Sequence, residues 1–282
     1  MDFTQLLQDI SRGVTSFTWG NAVMIAVGLI LIALAVVKEY EPVLLLPIGF
    51  GCLLANLGMA ATSDGENFIS VIYRAGIETE LFPLLIFVGV GGMIDFSPLL
   101  SQPRMVLLGA AGQFGIYGTL ILATLLGFTL PEAASIGVIG AIDGPTAIFV
   151  TRKLAPHLLA PIAVAAYSYM SLIPIIQPPI MKLLTTRKER LIRMEYTPRP
   201  VSKKVRVLFP IAATIGISLL APDAAPLIAA LMLGNFLKES GVVDRLNKSA
   251  QNEIINISTL FLGLSIGATM TAQSFLRLDT LL

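Results

Sequence analysis

Apolar runs separated by short polar stretches set the pattern of the chain: Asn21–Val37, Pro42–Met59, Leu81–Ile94, Met105–Phe128, Glu132–Val150, Leu158–Leu184, Val205–Leu220, Ala224–Leu237 and Ile254–Phe275. Such runs predict helices at membrane depth, because a helix satisfies its own backbone where water cannot. Several are shorter than the ~20 residues that cross a bilayer. Their glycines and prolines, as in Phe82-Pro83 and Val88-Gly-Val-Gly-Gly-Met93, predict broken or re-entrant elements. Irregular backbone of that kind survives in a membrane only under cover of protein or a watery cavity. Before the first run, Phe3, Leu6, Leu7, Ile10, Val14 and Phe17 recur at helical spacing. They predict an interfacial amphipathic helix over residues 1–20, with Trp19 at the aromatic belt.

Composition turns this pattern into a fold class. Hydrophobic residues make up 55% of the chain and charged ones 13%, with a mean hydropathy of +0.81. These values exclude an ordinary soluble domain and predict an all-α polytopic membrane protein with broken or re-entrant helices. The net charge of +1 hides an asymmetry, since nine of the nineteen basic residues lie between Lys182 and Arg206. A short basic loop between apolar spans follows the positive-inside rule, so it is read as facing the cytoplasm and not as a nucleic-acid site. The chain is therefore expected in the cytoplasmic membrane, in contact with lipid. One cysteine, Cys52, and one histidine, His157, exclude a disulfide and a Cys/His metal cluster; Cys52 reads as packing and His157 as interfacial. No phosphate-binding loop of the Gly-x-x-x-x-Gly-Lys type is present, which argues against ATP hydrolysis. Met181-Lys182 ends an apolar run, unlike the exposed hairpin lysine of a biotin carrier. Asp2 and Asp9, with no basic segment before them, do not read as a cleavable signal.

Asp143 is the candidate functional residue. No other charge lies between Glu132 and Arg152, and a carboxylate in hydrocarbon is costly enough to read as a site by default. Pro145 lacks an N–H and Gly144 loosens the turn, so the Ala141 carbonyl is expected to lose its helical partner and to lie beside the carboxylate. Carboxylate and carbonyl oxygens suit a hard cation, here sodium by analogy with the divalent ions. The plainer alternative is an aspartate capping a helix near the membrane surface.

Topology bears on the same segment. The acidic stretch Ala61–Glu80 is placed outside, so a full crossing by Glu132–Val150 would deliver the basic loop to the wrong face. Re-entry of the Asp143 segment removes the conflict; a miscounted span at Leu81–Ile94 would also remove it. An internal repeat is expected as well. Leu53-Leu-Ala-Asn-Leu57 echoes Met232-Leu-Gly-Asn-Phe236, and Phe87-Val-Gly-Val-Gly91 echoes Phe261-Leu-Gly-Leu-Ser265, at offsets of 179 and 174. Repeats of this kind place transporter ion sites at their interface. The organisation expected is an interfacial helix over 1–20, a first membrane unit over 21–184, a cytoplasmic loop over 185–204 and a second unit over 205–282. The second unit lacks a counterpart of the Asp143 segment, so it reads as incomplete.

Downstream, Tyr167, Ser168, Tyr169 and Ser171 fall in one span. The serines read as bonding the preceding turn. A buried tyrosine needs a partner for its hydroxyl and facing a cation site would supply an oxygen or relay a proton. Tyr169 is the preferred candidate, although spacing hardly separates it from Tyr167. Gln177, before Pro178-Pro179, lines a cavity or satisfies broken backbone. Asp95 reads as a cap or turn residue, and Asn56 and Asn235 as packing or ligating groups at matching repeat positions. Met194-Glu-Tyr196 reads as a partner-docking or a solvated stretch.

The runs Gly140-Ala-Ile-Asp-Gly-Pro-Thr-Ala-Ile-Phe149, Ala163-Val-Ala-Ala-Tyr-Ser-Tyr-Met170, Ile175-Ile-Gln-Pro-Pro-Ile-Met-Lys182 and Gly91-Gly-Met-Ile-Asp-Phe-Ser-Pro98 closely resemble the membrane-embedded beta subunit of sodium-pumping, biotin-dependent decarboxylases. The resemblance covers most of the chain. It implies a subunit that takes carboxybiotin from a partner, releases carbon dioxide and moves sodium outward. The family's essential aspartate falls on Asp143 and its functional tyrosine on Tyr169. Asp143, the Ala141 carbonyl and Tyr169 are then the expected sodium ligands, with Gly144, Pro145, Thr146 and Gln177 in support. Expected partners are a carboxyltransferase alpha subunit, a biotin carrier subunit, a small membrane subunit and further copies of the chain. Family members continue into a segment with an Asn, Gly and Ser motif that nothing here matches, so a partial sequence is expected. The short stretch before Asn21 resembles the methylmalonyl-CoA or glutaconyl-CoA type more than the oxaloacetate type. The competing expectation is a secondary cation transporter without enzymatic activity; a passive membrane anchor would leave Asp143 without a role.

Overall fold

A computed structural model describes residues 17–60, 67–193 and 200–276, which are helices joined by short turns with no strand among them. The interfacial helix expected before Phe17 lies outside the described residues. Trp19, expected at its end, instead begins the first described helix, α1 (Trp19–Val37), where Thr18 and Asn21 form a capping box. Glu41 and Pro42 turn the chain into α2 (Pro42–Asn56).

Part of the stretch expected as an acidic loop is helical. Asn67 and Ser70 cap α3 (Phe68–Tyr73), which widens into a π-helical turn over Arg74–Glu78. A bend of 60° at Thr79–Glu80 leads to α4 (Leu81–Met93), so the Leu81–Ile94 run is one half of a bent helix pair. After the short α5 (Ser97–Ser101) comes α6 (Val106–Leu125). The Asp143 run divides into α7 (Leu130–Gly137), a 3-10 turn over Val138–Ala141 and α8 (Gly144–Leu154). Then come α9 (Leu159–Leu184), a single capped turn α10 (Arg187–Arg190) in the basic loop, α11 (Lys203–Leu220) and α12 (Ala225–Ser240). The last expected run is also divided. It follows α13 (Asp244–Ser249) and a π-helical turn over Ala250–Ile254, and it forms α14 (Ile255–Gly267) and, after a turn, α15 (Ala272–Phe275). By length and composition, α1 and Pro103–Leu125 can each cross a membrane, and the bent α3–α4 pair is apolar enough for a third span if its two halves count as one.

The internal repeat is visible as a series of matched elements. Helices α1, α2 and α3–α4 correspond in order to α11, α12 and α13–α14. The π-helical turns, Arg74–Glu78 and Ala250–Ile254, fall at the same place in each series. The units interlock: α2 packs on α14 of the other unit, and α12 packs on α4. Glycine makes both contacts close. A methyl on Gly91 would overlap the Leu231 carbonyl oxygen and one on Gly234 the Val88 carbonyl; Gly51 meets Leu264 and Gly267 meets Ile48 in the same way. Where α4 meets α14, Phe82 and Phe261 stack with centroids 6.2 Å apart.

Polar groups close the ends of these helices. Asn235 donates to the carbonyls of Gly91 (3.3 Å) and Ile94 (3.0 Å), Gln251 to Gly92 (2.8 Å) and Lys238 to Met93 (3.3 Å) and Ile94 (3.0 Å). The carbonyls that a helix end leaves without intrahelical partners are thus satisfied by the other unit. Cys52 is buried at the α1–α2 contact, its thiol 3.3 Å from the Met24 carbonyl, in keeping with a packing role.

Candidate functional site

The segment around Asp143 is a hairpin. Thr129 caps α7, with Glu132 accepting from the Thr129 N–H at 2.8 Å. The same Glu132 carboxylate meets His157 at 2.9 Å. His157 lies just beyond α8, so the start and the end of the segment are tied together at one level. Between them Ile136, Val138 and Ile139 from the inward arm pack with Ala147, Val150, Ala155, Leu158 and Ile162. The two ends of the segment thus lie together, and His157 is exposed there.

At the tip, the local chemistry differs from the expected proline kink in a continuous helix. The 3-10 turn ends at Ala141, Ile142 adopts the left-handed region (φ 58°), and Asp143 is extended. For a β-branched residue the left-handed conformation costs roughly 1–2 kcal/mol, which the surrounding packing must offset. Pro145 lies in the first turn of α8, where a missing N–H breaks no helical bond. The break after Ala141 is therefore a helix end, and not an interruption of one helix by Pro145.

Asp143 is half-buried and holds the N-cap position of α8; its carbonyl accepts from the Ala147 N–H at 3.0 Å. Asp143 thus holds a helix N-cap position, the place that the plainer alternative expected. The Thr146 hydroxyl donates to Asp143 Oδ2. At the far end of α8, Lys153 Nζ lies 3.9 Å from Glu80 Oε2 and 4.5 Å from the Phe149 ring centroid, joining the hairpin to the bend before α4.

The two tyrosines separate. Tyr167 is 1% exposed and its ring lies against Gly144, where a methyl would overlap Cε1 and Cζ. Tyr169 is 39% exposed. It lines a cavity of about 480 Å³ with Gly115, Thr119, Gly140 and Ile142, and an adjoining one of about 270 Å³ with Ile142, Ile173 and Gln177. Tyr167 thus packs on Gly144, next to Asp143, whose carboxylate Thr146 bonds. Tyr169 meets Gly140, next to Ala141, in the first cavity and Gln177 in the second, with Ile142 lining both. Tyr167 had no sequence signal to set it above Tyr169. The side chains of Ser168 and Ser171, and residues 194–199 with Met194-Glu-Tyr196, lie outside the described residues.

Elsewhere, Asp95 forms the expected turn, its Oδ1 accepting from the Ser97 N–H at 2.9 Å. Asn56 and Asn235 both bond backbone carbonyls of the opposite repeat, which favours packing over ligation.

Known proteins share this arrangement of sequence. A family model for the Na+-transporting oxaloacetate decarboxylase beta subunit matches residues 20–282. The methylmalonyl-CoA decarboxylase subunit beta of Veillonella parvula is 55% identical, over 95% of this chain and 71% of the relative. The glutaconyl-CoA decarboxylase subunit beta of Acidaminococcus fermentans is 52% identical, over 99% and 73%. The oxaloacetate decarboxylase beta chain of Klebsiella pneumoniae is 45% identical, over 93% and 74%. With its membrane-length helices, the chain is a multi-pass membrane protein and belongs to the family of Na+-transporting decarboxylase beta subunits.

Proposed function

We propose that this chain is the membrane subunit of a sodium-translocating decarboxylase, and that it couples decarboxylation of carboxybiotin to outward sodium transport. Carboxybiotin arrives on a biotin carrier subunit after a carboxyltransferase has loaded it, and a small membrane subunit and further copies of the chain complete the assembly. Two membrane units, 21–184 and 205–282, flank the cytoplasmic loop 185–204.

Sodium enters from the cytoplasm and binds the Asp143 carboxylate, with the Ala141 carbonyl and Tyr169 as further oxygen ligands. Thr146 holds the carboxylate in place, and Gly144 and Pro145 shape the tip. Gln177 lines the approach from the basic loop. Decarboxylation consumes one proton as carboxybiotin becomes biotin and carbon dioxide. Proton uptake at the site, relayed by Tyr169, displaces sodium outward. Moving one charge against 100 mV costs about 2.3 kcal/mol, so the release of carbon dioxide must be tied to the ion step.

The observation that supports this reading is a half-buried carboxylate at a break between a 3-10 turn and a helix. Broken helices of this kind are where transporters hold ions. The test is Asp143→Asn in the purified complex. Decarboxylation and sodium uptake into proteoliposomes should be lost together; decarboxylation at full rate in that variant would overturn the coupling.

A further inference from the structure

We propose that Tyr167 is a positioning residue for the ion site: its ring fixes the Asp143–Gly144 peptide, while Tyr169 faces the cavity. The proposal rests on the assignment of sodium to Asp143. Tyr167 and Tyr169 are two residues apart on α9, hence about 200° apart around the helix axis. One side chain is therefore turned inward and the other outward.

Tyr167 is among the largest fully buried side chains of the protein, and it shares a core cluster with Leu44 of α2, Ile148 of α8 and Ile266 of α14. That cluster belongs to the interlocked repeats, so the ring connects the hairpin tip to the most firmly packed part of the fold. On its other side the ring fills the space over the Gly144 α-carbon, the residue that follows Asp143. A Cβ there would lie 2.7 Å from the Tyr167 hydroxyl oxygen and would overlap the ring itself. Gly144 and Tyr167 are thus a fitted pair, the absent side chain of one accommodating the ring of the other. Ile142, held left-handed on the near side of Asp143, has no local preference for that conformation. On the Gly144 side the backbone is therefore set by the ring. A smaller side chain at 167 would let the Gly144 peptide shift toward the vacated space and carry the Asp143 carboxylate away from the Ala141 carbonyl.

The experiment measures the sodium dependence of decarboxylation, and sodium-induced thermal stabilisation, in the purified complex. The variants are Tyr167→Phe, Tyr167→Leu, Gly144→Ala and the Gly144→Ala/Tyr167→Leu double. Tyr167→Phe keeps the ring and should leave half-saturating sodium within about twofold of the parent. Tyr167→Leu and Gly144→Ala should each raise it about tenfold or more, with a smaller effect on the rate at saturating sodium, as expected for a misplaced ligand. The double variant should be no worse than either single one, because the added methyl enters the space the ring has left. Unchanged half-saturation in Tyr167→Leu, or single effects that simply multiply in the double variant, would overturn the proposal. Asp143→Asn run alongside reads the underlying assignment separately. If that variant keeps the parent's sodium dependence, the ion is not at Asp143, whereas the coupling between positions 144 and 167 still reports on their contact.

Discussion

Asn56 and Asn235 occupy the same position in the two repeats and each bonds into the other unit: Asn56 Nδ2 donates to the Met270 carbonyl at 2.8 Å, and Asn235 Nδ2 to the Ile94 carbonyl at 3.0 Å. The carbonyl lies in both cases just past the end of the helix that the asparagine's own helix packs against. A relation of this kind makes the two units mutually dependent. Neither can finish its own helices alone.

Replacing Asn56 by alanine takes the amide donor from the Met270 carbonyl, and replacing Asn235 takes it from Gly91 while Lys238 still serves Ile94; a lost donor at a buried carbonyl costs about 1–3 kcal/mol. Asn56→Ala and Asn235→Ala should both lower the thermal unfolding temperature of the purified protein. The pair should be coupled only weakly, since the two contacts are formed at separate places. A variant with unchanged unfolding temperature would show that water replaces the amide.

Close helix approach gives a sharper contrast. Gly91→Ala and Gly234→Ala each place a methyl against a main-chain carbonyl of the facing helix, and overpacking of this type costs about 1–3 kcal/mol or more. Gly216, within α11, has open space around it. There an alanine should be neutral or stabilise the helix by up to about 1 kcal/mol. Folded yield and unfolding temperature of the three variants should divide accordingly.

Asp95 offers a test by pH. The hydroxyl and N–H of Ser97 hold its carboxyl below the usual carboxylate range, with Lys238 and Arg206 adding to the effect. A folded-state value below the unfolded one means a contribution to stability that is fully present above the ordinary value of about 3.9 and is lost as pH falls through the folded value. Asp95→Asn should therefore be less stable than the parent near neutral pH. The difference in unfolding temperature should shrink only once the pH falls below about 4.

Much of the hairpin was legible before any coordinates. Asp143 stood alone in apolar sequence, Gly144-Pro145 marked a break, and the charge of the basic loop called for either re-entry or a miscounted span at Leu81–Ile94. These are local or additive signals: a missing N–H, an unpaired charge, a count of crossings. The form of the break was not legible. A proline can kink a helix or begin one, and the choice shows only in the left-handed Ile142 and extended Asp143 that separate the 3-10 turn from α8.

The amino-acid sequence by itself determined that the chain is helical, lies in a membrane, repeats itself and carries one isolated carboxylate, because apolar runs, caps and motif spacing act over a few residues. Tertiary structure alone decided that α2 pairs with α14 and α12 with α4, that Glu132 meets His157, and that Tyr167 and not Tyr169 rests on Gly144. Those choices join residues far apart in the chain. They are settled by which surfaces fit to van der Waals contact, and a helical sequence presents several such surfaces without ranking them.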